Sequence, residues 1–215
     1  MAGCARRTVT FGLTDSPDFG IRGEQLVFNR QPLIDVAELP MRGWHNAANA
    51  LAACALAAEF GVPLSALSRG LKTFKGLPHR LELVALRRGV EWYDDSKGTN
   101  VGATLAALQG LAKPTVLILG GEGKGQDFSP LAPVVARAAR FTLLIGRDAP
   151  LIENALGAVS KERCASLEEA VEKAAAHARA GDAVLLSPAC ASFDMFRDYA
   201  QRGEAFAAAV RGLPS

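Results

Sequence analysis

The sequence predicts an α/β fold built on a mostly parallel sheet. Two observations carry that expectation. Beyond residue 78, strand-like and helix-like segments alternate, the order that strand–helix–strand units require. Strand segments such as Thr115-Val116-Leu117-Ile118-Leu119 and Phe141-Thr142-Leu143-Leu144-Ile145 are apolar on both faces, as strands covered by helices on both sides must be.

Taken in order, residues 8–12 read as a strand and Ser16-Pro17-Asp18-Phe19-Gly20 as a turn. Gln25-Leu26-Val27-Phe28 followed by Asn29-Arg30-Gln31-Pro32 reads as a small hairpin. An alanine- and leucine-rich helix is expected over 47–60, with Asn46 as its N-cap and Gly61-Val62-Pro63 as its stop. A second helix is expected over 65–74 with Ser65 as cap. Gly76-Leu77-Pro78 then breaks the pattern and marks a domain boundary, dividing the chain into 1–77 and 78–215. Beyond it the pattern predicts strands over 90–94, 114–121, 141–146 and 182–187. Helices are predicted over 100–111, 130–139, 152–156, 167–178 (capped by Ser166) and 194–210.

Composition limits the partners. The 215 residues are 49% hydrophobic and 21% charged, enough apolar material for a well-filled core. A net charge of +2 gives no electrostatic case for nucleic acid or a membrane surface. No apolar run approaches the roughly 18 residues of a membrane span. Residues 1–7 do not read as a signal peptide. Cys4, Cys54, Cys164 and Cys190 are too widely spaced for a zinc pattern, and a reducing cytoplasm is the expected compartment.

In parallel sheets, ligands bind beyond the carboxyl ends of the strands. Chemistry is therefore expected after residues 94, 119, 145 and 186. The first turn, Asp94-Asp95-Ser96-Lys97-Gly98-Thr99-Asn100, offers two carboxylates, a lysine and two hydroxyls at a helix N-terminus. The alternative is a solvated loop with a cap at Thr99 or Asn100. The second, Gly120-Gly121-Glu122-Gly123-Lys124-Gly125, lets backbone approach a ligand closely, with Lys124 supplying charge. It lacks the GxxxxGK[ST] spacing of a phosphate loop. The third, Ser187-Pro188-Ala189-Cys190-Ala191-Ser192-Phe193-Asp194, places Ser192 as an anion contact or simply as an N-cap. At the boundary, His79 and Arg80 suit a nucleotide or a solvated linker equally.

These motifs, with Gly43-Trp44-His45-Asn46-Ala47-Ala48-Asn49 and Gly76-Leu77-Pro78-His79-Arg80, resemble the Mur ligases from about Thr8 to the end of the chain. The turns at 94–100 and 187–194 are most similar to the branch of that family that adds D-glutamate. The resemblance implies a Rossmann-like C-terminal domain, preceded by the last part of a P-loop-type central ATPase domain. It implies a reaction in which ATP phosphorylates a carboxylate and D-glutamate attacks the acyl phosphate. The substrates would be ATP, D-glutamate and UDP-N-acetylmuramoyl-L-alanine, with no nucleic acid, no membrane and a monomeric protein. By resemblance, Asn46, Asn49, His79, Arg80 and Asp95 lie at the nucleotide. Lys97, Thr99, Lys124, Ser192, Phe193 and Tyr199 form the D-glutamate pocket, with Lys97 and Lys124 catalytic. Tyr199 stands where the family usually has phenylalanine, and Gly98 where alanine is common.

The family's phosphate loop, its carbamylated lysine and the glutamate and histidine that hold Mg2+ have no counterpart here, so no metal ligand is expected in this chain. The chain is expected to begin inside the central domain and to be inactive alone. Two other readings stay open: a stand-alone nucleotide- and amino-acid-binding module, and a sister ligase, against which Lys97-Gly98-Thr99 argues.

Overall fold

The computed structural model describes residues 8–15, 17–41 and 43–214; residues 1–7, with Cys4, and Ser16 of the expected turn lie outside the described residues. It divides into two compact units, Met1–Gly76 and Leu77–Ser215.

The first unit holds a three-stranded antiparallel sheet, β1 (Phe19–Arg22), β2 (Gln25–Phe28) and β3 (Gln31–Asp35), in that order. Asn29 and Arg30 join β2 to β3 with φ of 45° and 66°. Two residues of positive φ are what a tight hairpin needs to match strand twist. Helices α1 (Trp44–Glu59) and α2 (Leu64–Thr73) follow. Phe19, Leu26 and Ile34 of the sheet share one core with Leu51, Leu67 and Leu71 of the helices.

Four expectations fail in this unit. Phe19 and Gly20, read as the end of a turn, open strand β1. Residues 8–12 make only an isolated bridge, Phe11 to Phe19, rather than a strand. Helix α1 begins before Asn46: Gly43, at φ 96°, stands at its cap, and its carbonyl accepts from the amides of Asn46 and Ala47. Helix α2 is entered from Pro63, whose carbonyl takes the Ala66 and Leu67 amides, so Ser65 lies inside the first turn.

The second unit is a six-stranded sheet of β4 (Glu82–Arg87), β5 (Val90–Asp94), β6 (Thr115–Gly120), β7 (Ala139–Ile145), β8 (Lys161–Arg163) and β9 (Ala183–Leu186). Its order is β4-β5-β9-β6-β7-β8. All strands are parallel except β4, which pairs antiparallel with β5 at the edge. The helices are α3 (Val101–Leu111), α4 (Leu131–Ala138), α5 (Ala149–Leu156), α6 (Leu167–His177) and α7 (Tyr199–Gly212). Alternation along β6 sends Leu117 and Leu119 into a core with Leu108, Leu131 and Ile152, and Val116 and Ile118 into a core with Leu167, Val171 and Phe206. The sheet is thus buried on both faces, as its apolar strands predict.

β9 lies between β5 and β6, so the connection through α3 crosses over it. The carboxyl ends of these three strands are neighbours where the winding changes direction, the place where such sheets bind ligands. Asn100 caps α3, accepting from the Ala103 amide, and Ser166 caps α6, accepting from the Glu169 amide. Two corrections concern elements here. The last helix starts at Tyr199, not 194. The Ser192 carbonyl draws the Met195 and Phe196 amides into a turn, and the Asp198 side chain then caps the helix at Gln201. The edge strands β4 and β8 fall in stretches read as linker or left unassigned. No helix of the described residues is long and apolar enough to cross a membrane.

Candidate functional site

The site is built from the three turns that leave β5, β6 and β9. In the first, Asp94 and Asp95 are both buried although adjacent. Asp94 Oδ1 accepts from the Ser96 amide at 2.8 Å, and Asp94 Oδ2 lies 2.7 Å from His79 Nδ1. Asp95 Oδ2 accepts from the Ser187 hydroxyl at 2.7 Å and Oδ1 from the Leu81 amide at 3.2 Å. Burial raises the pKa of both carboxyls, opposed at Asp94 by the His79 bond and at Asp95 by the Ser187 bond and by Arg80. Asp95 reaches about 6. A carboxyl is costly to bury ionised, and these hydrogen bonds and neighbouring charges keep the shift from growing.

The boundary segment is fastened to this turn. The Lys97 amide donates to the His79 carbonyl at 3.1 Å, and the His79 amide donates to Glu82 Oε2 at 3.0 Å. His79 and Leu81 both take positive φ, 62° and 50°. That conformation is uncommon for side-chain-bearing residues and is held here by the surrounding bonds. Lys97 Nζ sits 4.0 Å from the centroid of the Tyr199 ring, a cation–π contact between the first turn and the start of α7.

In the second turn, Gly120 and Gly121 have φ of 121° and 129°. A Cβ on Gly120 would strike the Ile145 carbonyl, and one on Gly121 the Ala191 carbonyl. Glycine is therefore what lets this loop lie against the β9 turn, sealed by the Glu122–Ala191 backbone bridge. Asp148 Oδ2 accepts the Gly123 amide at 2.7 Å. Gln126 ties all three elements: its Nε2 donates to the Ala189 carbonyl at 2.6 Å and its Oε1 accepts the Val101 amide at 3.0 Å. Lys124 Nζ lies 5.2 Å from the Phe193 ring centroid.

In the third turn, Cys190 is fully buried and burial pushes its thiol up to about 12, which makes it inert at neutral pH. Ser192 is buried while Phe193 is 63% exposed. No helix begins at Ser192, so its hydroxyl has no helix N-terminus behind it, contrary to the sequence expectation.

The second unit thus gathers Lys97 with Tyr199 and His79, and Lys124 with Phe193, around three turns packed on one another. Asp95 faces inward to Ser187, and Arg80 is exposed beside it. Asn46 and Asn49 belong to the first unit, one turn apart on α1, with Asn49 Nδ2 3.5 Å from Asn46 Oδ1. Sequence reasoning missed Gln126, Asp148 and Arg202. Arg202 is 1% exposed and donates to Ser96 and to the Cys190 carbonyl. One cluster among the described residues, His79 with Glu82 and Asp94, has the spacing of a metal site. The His79 ring and Asp94 are bonded to each other, Glu82 accepts from the His79 backbone amide, and a histidine does not suit magnesium, which takes oxygen ligands.

Fold and site together define a Rossmann-like α/β domain that presents two lysines at the carboxyl ends of its central strands. The model of the Mur ligase glutamate ligase domain matches residues 79–190, and the chain belongs to the Mur ligase family. It is 54% identical to the UDP-N-acetylmuramoylalanine--D-glutamate ligase of Thiobacillus denitrificans, over 99% of this chain and 46% of that protein. It is 58% identical to the enzyme of the same name from Aromatoleum aromaticum, over 88% of this chain and 41% of that protein. The chain spans less than half the length of these curated relatives. Among solved structures, UDP-N-acetylmuramate-alanine ligase MurC from Thermotoga maritima covers 94% of this chain and 48% of its own, with TM-score 0.70 at 17% identity. MurF from Acinetobacter baumannii covers 93% and 46%, with TM-score 0.67 at 20% identity. At such identities the likeness speaks for the fold.

Proposed function

We propose that this chain forms the D-glutamate-binding part, and one wall of the nucleotide site, of an ATP-dependent ligase. The whole protein would join D-glutamate to UDP-N-acetylmuramoyl-L-alanine in the cytoplasm, as a monomer working on peptidoglycan precursors. In this reading residues 1–77 are the last part of the central ATP-binding domain and 78–215 the C-terminal domain. The observation that supports it most is the packing of three strand-end turns that bring Lys97 and Lys124, each over an aromatic ring, to one end of the sheet.

A dicarboxylate entering a partly dry site needs compensating charge at both ends. Lys97 and Lys124 supply it, and the Thr99 and Ser192 hydroxyls add hydrogen bonds that fix orientation. Phe193 and Tyr199 exclude water and hold the ammonium groups in place. On the nucleotide side, Asp95 keeps lone pairs free beyond its bonds to Ser187 and Leu81, which suits ribose hydroxyls. Arg80 suits phosphate and His79 suits adenine; in the first unit, Asn46 and Asn49 offer amide groups of the kind adenine accepts from and donates to. Magnesium would neutralise the transferred phosphate from ligands outside this chain. In the joining step the neutral amine of D-glutamate attacks the acyl carbon. The C–N bond forms, the C–O bond to phosphate breaks, phosphate leaves with the electron pair and the amine's surplus proton goes to solvent. The part played by this chain's residues is positioning and charge neutralisation.

Isothermal calorimetry on the 215-residue chain tests this. D-glutamate should bind more tightly than L-glutamate, and Lys97→Ala and Lys124→Ala should each weaken it about tenfold, the loss of one charge-assisted contact. No ADP should be released from ATP with both substrates present. Equal affinity for the two enantiomers, or unchanged binding in both lysine variants, would overturn the pocket. Tight D-glutamate binding together with ADP release by the chain alone would overturn the claim that it is only part of the machinery.

A further inference from the structure

Arg202 is the largest fully buried side chain of the described residues, and no carboxylate meets its guanidinium among the hydrogen bonds it makes. Its Nε donates to Ser96 Oγ at 2.9 Å, its Nη2 to the Ser96 carbonyl at 2.8 Å and its Nη1 to the Cys190 carbonyl at 3.1 Å. Ser96 Oγ in turn donates to the Tyr199 carbonyl at 2.7 Å. Burying a cation whose hydrogen bonds all go to neutral acceptors carries a desolvation cost that an apolar residue of the same volume would not incur. A side chain kept only to fill the core would be apolar.

We propose that Arg202 is a positioning residue that locks the turn after β5 to the turn after β9 and thereby fixes Lys97 relative to Ser192. The role rests on the D-glutamate reading above. The bonded residues are the immediate neighbours of the ligand contacts: Ser96 precedes Lys97, and Cys190 stands two residues before Ser192. The loop closes through α7. Arg202 holds Ser96, Ser96 holds the Tyr199 carbonyl, and the Tyr199 ring lies under Lys97 Nζ. A planar guanidinium directs its donors in fixed directions, so the turn after β5 and the turn after β9 are held at a fixed mutual geometry from α7. A lysine ammonium at the same place cannot reach three acceptors spread across that fork. The titratable groups near it are Asp94, Asp194 and the neutral Cys190 thiol, and desolvation lowers its pKa to about 10, which leaves it charged at neutral pH.

The test uses the full chain with Arg202→Lys, Arg202→Ala and Ser96→Ala. In the ligand-free chain, backbone amide NMR of Arg202→Lys should shift or broaden Ser96, Lys97, Ala191 and Ser192 while β6 and β7 stay as they are. Calorimetry with D-glutamate should show a loss of about tenfold in Arg202→Lys, the scale of one hydrogen bond to a charged group, with ADP affinity changed less than threefold. Methylguanidinium added to Arg202→Ala should restore part of the D-glutamate affinity. Where neither arginine variant folds, Ser96→Ala, which spares the guanidinium's two carbonyl bonds, should still weaken D-glutamate several-fold.

Folded Arg202→Lys with D-glutamate affinity within twofold of wild type overturns the proposal. So does a parallel loss of D-glutamate and ADP binding that tracks thermal stability, which is a purely structural role. Failure of the wild-type chain to bind D-glutamate overturns the proposed function instead. The amide readout then decides the positioning claim by itself, and unchanged turns overturn it.

Discussion

Asp95 answers two opposed demands. Its carboxylate is buried and bonded to Ser187 and Leu81, yet burial raises its pKa from 3.8 to about 6. The folded state therefore holds a proton between those values that the unfolded chain releases. Stability from this group is fully present below pH 3.8 and is lost as pH rises through 6, by about 3 kcal/mol at most. Asp94, also raised by burial, adds to the same trend, so replacing Asp95 alone should flatten the profile rather than abolish it. We expect the urea midpoint of wild type to fall between pH 4 and 7, and that of Asp95→Asn to fall clearly less, with nucleotide binding weakened. Superimposable pH profiles for the two proteins would falsify the assignment. Sequence could mark Asp95, Lys97 or Lys124, because charged groups at strand ends stand out by type. It could not mark what holds them. Arg202 reads as one more surface arginine in Gln201-Arg202-Gly203-Glu204, and its Ser96 partner is 106 residues away. Gln126 likewise carries no local signal, since its partners come from α3 and the β9 turn.

Helix α7 shows how an element is shaped by what it presses against. Gly203 lies inside it, where alanine ordinarily stabilises by about 1 kcal/mol. Here a Cβ would collide with His79 Nδ1 and come within 2.5 Å of Asp94 Oδ2. Overpacking of that kind costs about 1–3 kcal/mol, and both neighbours are pinned by their mutual bond, so the clash outweighs helix propensity. Gly203→Ala should lower the thermal midpoint and displace the His79 ring; an unchanged or higher midpoint would mean that α7 can shift away. The central strands and most helices are legible in the sequence because period and length agree over several residues. The α6 cap at Ser166 is legible because its partner lies three residues on. The misread ends have a common physical cause. Gly43 and Pro63 start helices through backbone conformation rather than a side-chain bond. The start of α7 is deferred because Asp194 is spent on the Arg147 amide, leaving Asp198 to cap. Strand β8 is three residues long and polar, and β4, although Leu83-Val84-Ala85-Leu86 is apolar, is a largely exposed edge that follows directly on the boundary motif, so neither stands out as the inner strands do.

At the scale of the molecule, the two units differ in how well size supports them. A unit of about 76 residues buries roughly 60% of the surface its unfolded chain exposes, and one near 140 residues closer to 68%. The larger unit also has two cores, one on each face of a sheet whose central strands are inaccessible to water. The smaller unit rests on a single core between a three-stranded sheet and two helices, and exposes Leu56 and Phe60 on and just beyond α1. Marginal burial translates into lower stability because conformational entropy grows with every residue while apolar burial lags in small folds. Calorimetric heating should therefore resolve a lower transition from the first unit and a higher one from the second. The chain between them supplies the handle for assigning the two. Lys75 is exposed in the non-helical stretch between α2 and β4, with Gly76 following at φ 92°. Brief trypsin treatment should cut there first and leave a resistant fragment from Gly76 onward that keeps only the upper transition, while fragments of the first unit disappear. Early cleavage inside residues 90–200, or loss of the upper transition once Lys75 is cut, would show that the larger unit depends on the smaller for its stability.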